Sequence, residues 1–161
     1  MKTLFLLRHA KSSRDEPDLP DMARPLNARG RRDAPRMGRF IAERQCLPDA
    51  IVSSPAVRAR STGLLAAEAA HFVGPIRFDP RIYEASVEVL VEIVRGLPDG
   101  ESRVLLVGHN PGLESLIERF SAHPEHFPTA ALAEVSIDVG SWRDTTTSKG
   151  RLIALWRPKS V

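Results

Sequence analysis

Three short apolar segments that stop abruptly at polar side chains constrain the fold of this chain more than any other feature. Each segment has the length of a buried strand, and they run over Thr3 to Leu7, Ala50 to Ser53 and Arg103 to Val107. The residues that follow them are Arg8-His9, Ser54-Pro55 and Gly108-His109. Short strands that are apolar on both faces are typical of a parallel sheet that is covered by helices on both sides.

Helical patterns lie between these strands. Asn27 suits the N-cap of a helix whose apolar positions are Ala34, Met37 and Ile41. Pro35 falls inside this pattern, so the helix is expected either to kink there or to begin later, near Asp33.

The rest of the chain continues the alternation of helix and strand. A helix after Ser54-Pro55 is predicted to turn Leu64, Leu65, Ala67 and Ala70 inward, and two more helices are predicted over Val87 to Val94, ended by Gly96, and Leu113 to Phe120. Ile76 to Phe78, Ala131 to Val139 and Leu152 to Trp156 are expected to be strands. The alternation predicts a three-layer α/β/α sandwich with a mostly parallel central sheet, and 161 residues suit one domain, residues 1–161.

The carboxyl ends of the strands are where such sheets bind ligands, and here they carry residues suited to an anion. Arginine makes paired hydrogen bonds to phosphate oxygens, and histidine can attack a phosphorus atom. Arg58 lies about one turn into a predicted helix, and His109 precedes another, so both lie near helix N-termini, which favour anions. Taken singly, Arg58 fits a surface position and His109 fits a turn. Because three strand ends with such residues are expected at one edge of the sheet, phosphoryl chemistry is favoured.

The net charge of +3 conceals an arginine cluster between residues 24 and 44. Its members are Arg24, Arg29, Arg31, Arg32, Arg36, Arg39 and Arg44. Such a cluster could bind nucleic acid. It contains no interleaved aromatic residues, and Asp33 and Glu43 interrupt it, so a solvated helix face is the favoured interpretation and no nucleic acid is expected as a partner.

The apolar runs are too short for targeting or for a membrane. The run from Leu4 to Leu7 is below the ~7 residues of a minimal signal-peptide core, and none approaches the ~20 residues of a membrane span, so a cytoplasmic protein is expected. Cys46 is the single cysteine, which excludes an internal disulfide. His9 and His109 could be imagined as metal ligands, but the neighbouring arginines would repel a cation, so neither a metal nor another cofactor is expected.

At these residues the chain resembles a known family. The segments LLRHAKS, SSPAVRARST and LLVGHNPGL, in this order, together with RPLNARGRRDAPRMG and FPTAALAEV, are similar to the histidine phosphatase superfamily, which contains the phosphoglycerate mutases. Within it they resemble the small SixA-like branch of phosphohistidine phosphatases. The resemblance covers nearly the whole chain and implies a phosphoglycerate mutase-like fold.

The resemblance implies a role for each matching residue. His9 would be the nucleophile that is transiently phosphorylated, and Arg8, Arg58 and His109 would bind the phosphate. Ala10 departs from the glycine that is usual after the nucleophile, a change that we expect the pocket to tolerate. Glu84 is the nearest match to the general acid of larger members, although it could equally end a surface loop. Asp15 and Asp21 are expected to hold Arg8 or Arg24.

The need of the leaving group for a general acid indicates which class of substrate is favoured. An alkoxide gains much from a general acid, whereas imidazole, whose conjugate acid has a pKa near ~6.5, needs less help. A weak acid and a short segment between Ala70 and Arg103, with little material for a lid, favour phosphohistidine in proteins. The alternatives are a small-molecule phosphomonoesterase or phosphomutase of the same superfamily, and a module that binds phosphate or nucleic acid without catalysis.

Overall fold

Six strands and four α-helices alternate along the chain in the computed structural model, which describes residues 1–161. They are β1 (Lys2–Arg8), α1 (Ala28–Glu43), β2 (Ala50–Ser53), α2 (Val57–Ala69), β3 (Ile76–Phe78), α3 (Val87–Arg95), β4 (Arg103–Gly108), α4 (Gly112–Ser121), β5 (Leu132–Ile137) and β6 (Gly150–Trp156). None of the helices has the length and apolarity that crossing a bilayer requires.

The strands form one sheet in the order β3-β2-β4-β1-β5-β6. β3, β2, β4 and β1 are parallel, β5 is antiparallel to β1, and the edge strand β6 is antiparallel to β5. The register pairs Arg8 with Gly108 and Ser53 with Val107. The three strands that end in polar residues are therefore neighbours, and their carboxyl ends lie at the same edge.

Side chains of the central strands alternate between two hydrophobic cores, one on each face of the sheet. In β1, Leu4 and Leu6 pack with α3 and α4, whereas Phe5 and Leu7 pack with α1 and α2. β4 alternates in the same way. This period of two confirms the predicted three-layer α/β/α sandwich with its mostly parallel sheet, because each strand must be apolar on both faces to fill both cores.

Helix α1 begins at Ala28, so the expectation of a later start near Asp33 is wrong. The side chain of Asn27 accepts a hydrogen bond from the Gly30 N–H, as predicted for an N-cap, and the helix continues through Pro35. Burial of the face that carries Met37 stabilises the helix across the proline.

The inner face of α2 differs from the prediction. Leu64 is exposed and Leu65 is only half-buried, and the buried positions are Arg58, Ala59, Thr62, Gly63, Ala66 and Ala67. Small residues are needed there because α1 approaches closely: a Cβ at Gly38 would lie 2.2 Å from the Ala66 carbonyl oxygen. The prediction is therefore confirmed for Ala67 and Ala70, which are buried, and wrong for Leu64.

Several arginines of the basic cluster interact within the chain. Arg29 and Arg36 lie 3.5 Å and 3.7 Å from the buried carboxylate of Asp33. Arg31 donates to the Leu26 carbonyl, and Arg44 lies over the rings of Phe40 and Trp156. These contacts give part of the cluster a structural role.

Candidate active site

A polar cavity of about 280 Å³ lies at the carboxyl edge of the parallel strands. No hydrophobic side chain lines it, and its walls are Arg8, His9, Lys11, Ser12, Arg14, Asp21, Arg24, Arg58, His109, Asn110 and Thr129. Arg8 is the last residue of β1 and His9 follows it, the turn after β4 contributes His109, and the first turn of α2 contributes Arg58. The structure thus brings together the four residues that the motifs predicted, and the ring centres of the two histidines are 5.2 Å apart.

The imidazole of His9 is held in one tautomer. Its Nδ1 lies 2.8 Å from the Ala10 carbonyl oxygen, which can only accept, so Nδ1 carries the hydrogen and Nε2 keeps a free lone pair. Burial is the main cause that lowers the pKa of His9 to about 3, and nearby positive charges, including Arg58 and Arg8, add to it. At neutral pH His9 is therefore an uncharged base with an unprotonated Nε2.

Ala10 belongs to the hydrophobic core rather than to the cavity. Its methyl group is fully buried in the cluster between the sheet and helices α1 and α2. Its N–H donates to Thr62 Oγ1 at 2.9 Å, and the Thr62 hydroxyl donates to the Arg58 carbonyl at 2.7 Å. The residue after His9 thus ties the end of β1 to the helix that carries Arg58, and its extra methyl group is accommodated.

Ser54 orients the second histidine. Its Oγ accepts from the Ala56 N–H and lies 2.8 Å from His109 Nε2. A Ser54 hydroxyl that donates to Nε2 would leave a hydrogen on Nδ1, which is a buried atom with no hydrogen-bond partner in the chain. Burial, followed by the charge of Arg58, lowers the pKa of His109 to about 4, so this side chain is also neutral at pH 7.

Arg8 has an unused donor as well. Its Nη1 donates to the Phe127 carbonyl at 3.3 Å, while its buried Nε has no partner in the chain. Asn110 stabilises the position of the Phe127 carbonyl, because its Nδ2 donates to Phe127 O and to Glu114 Oε2, both at 2.9 Å. Buried donors without acceptors are rare, and here two of them, Arg8 Nε and His109 Nδ1, occur in the same cavity.

Asp21 joins three other side chains at the rim. Arg58 donates to its backbone oxygen at 2.7 Å and to Oδ2 at 2.9 Å, the Tyr83 hydroxyl donates to Oδ2 at 2.6 Å, and Arg24 donates to Oδ1 at 2.9 Å. The Tyr83 hydrogen bond is the main cause that lowers the pKa of Asp21, and Asp21 raises the pKa of Tyr83 to about 12. Asp21 is therefore a stable carboxylate and unsuited to donate a proton.

The expected partners of the acidic loop residues are only partly correct. Asp21 does hold Arg24, but its other arginine is Arg58 rather than Arg8, and Asp15 pairs with neither. The contact between Asp21 and Arg24 joins residues only three positions apart. The contacts of Asp21 with Arg58 and Tyr83 join residues 37 and 62 positions apart, and no local pattern could have indicated them.

Glu84 lies beside the polar cavity rather than in it. It is exposed, and it lines an adjoining cavity of about 440 Å³ together with Arg58, Tyr83 and His109. Its φ of 55° places a non-glycine residue in the left-handed region, a conformation that often marks functional loops. The position is compatible with a proton donor to a leaving group, and the role of Glu84 stays a prediction.

The balance of charge favours an anionic ligand. Five cationic side chains line the polar cavity, namely Arg8, Lys11, Arg14, Arg24 and Arg58, against the single carboxylate of Asp21. No group of three or more histidine, cysteine, aspartate or glutamate side chains is arranged to hold a metal ion. A phosphoryl group is the ligand that these donors complement best.

Comparisons with known proteins agree with this geometry. A family model described as the histidine phosphatase superfamily, branch 1, matches residues 4–93. An uncharacterized protein of Mycobacterium tuberculosis is 31% identical over 95% of this chain and 100% of its own length. The structure of the presumed phosphohistidine phosphatase SixA of Agrobacterium tumefaciens is 30% identical, covers 98% of both chains and superposes with a TM-score of 0.82. A protein histidine phosphatase SixA complexed with tungstate, 21% identical over 98% of this chain and 97% of its own, has the same fold with a TM-score of 0.83.

Proposed function

The chain belongs to the histidine phosphatase superfamily and is SixA-like, and from that premise we propose that it is a metal-independent phosphatase that forms a phosphohistidine on His9. One observation carries the proposal: the Ala10 carbonyl holds the hydrogen of His9 on Nδ1, so Nε2 is an unprotonated nucleophile beside Arg8, Arg58 and His109. A neutral imidazole within a cationic cavity has both features that phosphoryl transfer needs.

In the first step, the Nε2 lone pair of His9 attacks phosphorus as the bond from phosphorus to the leaving group breaks. The leaving group departs with that electron pair and takes up a proton. Arg8 and Arg58 stabilise the charge that spreads over the nonbridging oxygens, because their guanidinium groups donate charge-assisted hydrogen bonds. His109 contributes the neutral Nδ1–H donor, and the Ala10 carbonyl stabilises the charge that develops on the His9 ring.

In the second step, water attacks the phosphorus of the phosphohistidine. The bond between Nε2 and phosphorus breaks, its electron pair returns to Nε2, and inorganic phosphate leaves with the oxygen and protons of the water. His9 is regenerated in its starting tautomer, because the Ala10 carbonyl continues to hold the hydrogen on Nδ1.

Phosphohistidine in proteins is the proposed substrate. Its leaving group is an imidazole, which needs little help from an acid. The only carboxylate of the polar cavity, Asp21, is held ionised by its hydrogen bonds, and Glu84 lies outside that cavity. The open rim and the absence of hydrophobic walls suit a phosphorylated side chain presented by another protein.

A small-molecule phosphomonoesterase or phosphomutase of the same superfamily is the second candidate. The position of Glu84 on the adjoining cavity favours it, since a proton donor there would assist the departure of an alkoxide. The two candidates are separated by comparing the hydrolysis of a phosphohistidine-bearing protein with that of a panel of sugar and nucleotide phosphates.

The mechanism is tested with His9→Ala and an artificial aryl phosphate. We expect turnover to fall at least ~10³-fold, because the nucleophile is removed, while circular dichroism shows an unchanged fold. The matched control is His123→Ala, since His123 is exposed and lies outside both cavities. We also expect inhibition by vanadate or tungstate and indifference to EDTA. Near-normal turnover by His9→Ala would exclude the mechanism, and loss of activity in EDTA would point to a metal.

A further inference from the structure

Two cations on the cavity wall are not needed to bind a phosphoryl group. The side chains of Lys11 and Arg14 line the polar cavity, and neither makes a hydrogen bond or ion pair within the chain. Asp15, Glu16 and Asp18 follow them in the same loop but do not reach ion-pair distance of either cation and do not line the cavity. A doubly charged phosphoryl group would still leave the cavity with positive charge to spare.

The backbone that carries Lys11 is held in place. The Asn27 N–H donates to the Lys11 carbonyl at 2.9 Å, and the Ser13 N–H donates to the Pro25 carbonyl at 2.8 Å. Ser12 forms an antiparallel bridge with Leu26 between them. A Cβ at Gly30 would lie 2.2 Å from the Lys11 oxygen, so the first turn of α1 packs directly against this segment. Lys11 is thus presented from an ordered two-stranded segment.

Arg24 links these cations to the proposed phosphoryl site. One carboxylate, that of Asp21, accepts from Arg24 at 2.9 Å on Oδ1 and from Arg58 at 2.9 Å on Oδ2. The two guanidinium groups are therefore separated by the width of a single carboxylate. A group bound by Arg24, Lys11 and Arg14 would lie in the same cavity as the transferred phosphoryl group.

We propose that Lys11 and Arg14, with Arg24, form a second anion subsite that binds a carboxylate or phosphate group which the substrate carries beside the transferred phosphoryl group. The inference rests on the proposed function, since it specifies the class of substrate that the site selects. In a protein substrate the second group would be an aspartate or glutamate next to the phosphohistidine. In a small molecule it would be a second phosphate.

The kinetic test uses two phosphohistidine peptides that differ only in an aspartate or asparagine beside the phosphohistidine. We expect kcat/KM for the acidic peptide to exceed that for the neutral peptide by about tenfold, since each partly exposed charge pair contributes a few-fold. The double variant Lys11→Gln/Arg14→Gln should reduce this ratio of kcat/KM values to about two. The matched control is Arg32→Gln/Arg39→Gln, which removes the same charge from exposed positions outside the cavity.

A binding measurement keeps the subsite testable without turnover. Isothermal titration of inorganic phosphate and of pyrophosphate should show that Lys11→Gln/Arg14→Gln weakens pyrophosphate binding about tenfold and phosphate binding less than threefold. If the wild type hydrolyses no substrate but pyrophosphate binding still depends on the two cations, the subsite stands and the proposed function fails. If both peptides are hydrolysed equally and pyrophosphate binding alone is affected, the second group belongs to a small molecule. If the control pair has the same effect as Lys11 and Arg14, or neither pair has any, the subsite is wrong.

Discussion

The two ends of the central strands arrange their charged groups differently. At the amino end, Asp49 Oδ2 accepts from the N–H groups of Ser102 and Arg103, and Lys2 donates to the Asp99 carbonyl at 2.8 Å. At the carboxyl end, cations outnumber carboxylates, and buried donors of Arg8 and His109 have no partner in the chain.

This difference distinguishes charged residues that stabilise the fold from charged residues that bind a ligand at the same sheet. The carboxylates of Asp49 and Asp99 at the amino end accept hydrogen bonds that the protein itself donates, and this stabilises the fold. The carboxyl end adjoins the N-termini of α2 and α4, whose free N–H groups add to the positive potential. Substitutions at the carboxyl end should therefore reduce activity, and those at the amino end should reduce stability.

After the loss of His9, the largest effect is expected for Arg58→Ala. Loss of its two hydrogen-bond donors should lower kcat/KM for an aryl phosphate by about 10²–10³-fold, the usual effect of removing one donor to a developing anion. Arg58→Lys should recover part of the rate, because the charge returns without the paired geometry. Steady-state kinetics of both variants measure this, and a loss below tenfold in Arg58→Ala would contradict the assignment of the carboxyl end to function.

The pH dependence of stability is the second test. His9 and His109 have pKa values of about 3 and about 4 in the folded protein, below the value of ~6.5 in the unfolded chain. The unfolded chain therefore binds more protons between these values, and the free energy of unfolding should fall as the pH is lowered from 7 to 4, by up to about 1.4 kcal/mol per pH unit for each histidine. Urea unfolding at several pH values measures the slope.

The control for this slope is the variant His9→Asn/His109→Asn. It should show a flatter dependence of unfolding free energy on pH, because both titrating groups are gone. An unchanged slope would mean that the two histidines are not buried as neutral bases.

Asp49→Ala should show the opposite pattern at the amino end. Losing the acceptor for two exposed backbone N–H groups should lower the free energy of unfolding by about 0.5–1.5 kcal/mol and change kcat/KM less than twofold. Asp49→Asn, which keeps an acceptor oxygen, should lose less. Thermal unfolding and steady-state kinetics on the same samples measure both quantities. A loss of kcat/KM clearly greater than twofold would contradict the assignment of the amino end to stability.

The smallest effect is expected for Ala10→Gly, although Ala10 is adjacent to the proposed nucleophile. Its methyl group packs in the core, so its removal should cost about 1 kcal/mol of stability and change kcat/KM less than twofold. The same measurements check this, and an activity that rises markedly with glycine would show that the methyl group obstructs the cavity after all.

Much of the fold was predictable because the signals are local. The strands β2 and β3 begin and end at the predicted residues, and the N-cap at Asn27 is confirmed by its hydrogen bond to Gly30. On α2, Ala67 and Ala70 are buried as predicted, but the inward placement of Leu64 was wrong, because close packing of α1 at Gly38 selects small residues. Hydrophobicity does not reveal how near a neighbouring helix will lie.

The sequence by itself determined the layered architecture and the three motifs that contain Arg8, His9, Arg58 and His109, because strand periodicity and short motifs act over a few residues. Only the tertiary structure decided the tautomer of His9, the pairing of Asp21 with Arg58 and Tyr83, and the placement of Lys11 and Arg14 on the cavity wall. These features depend on distances between segments far apart in the chain and on burial, which changes proton affinity. Both arise only when the sheet brings its strand ends together.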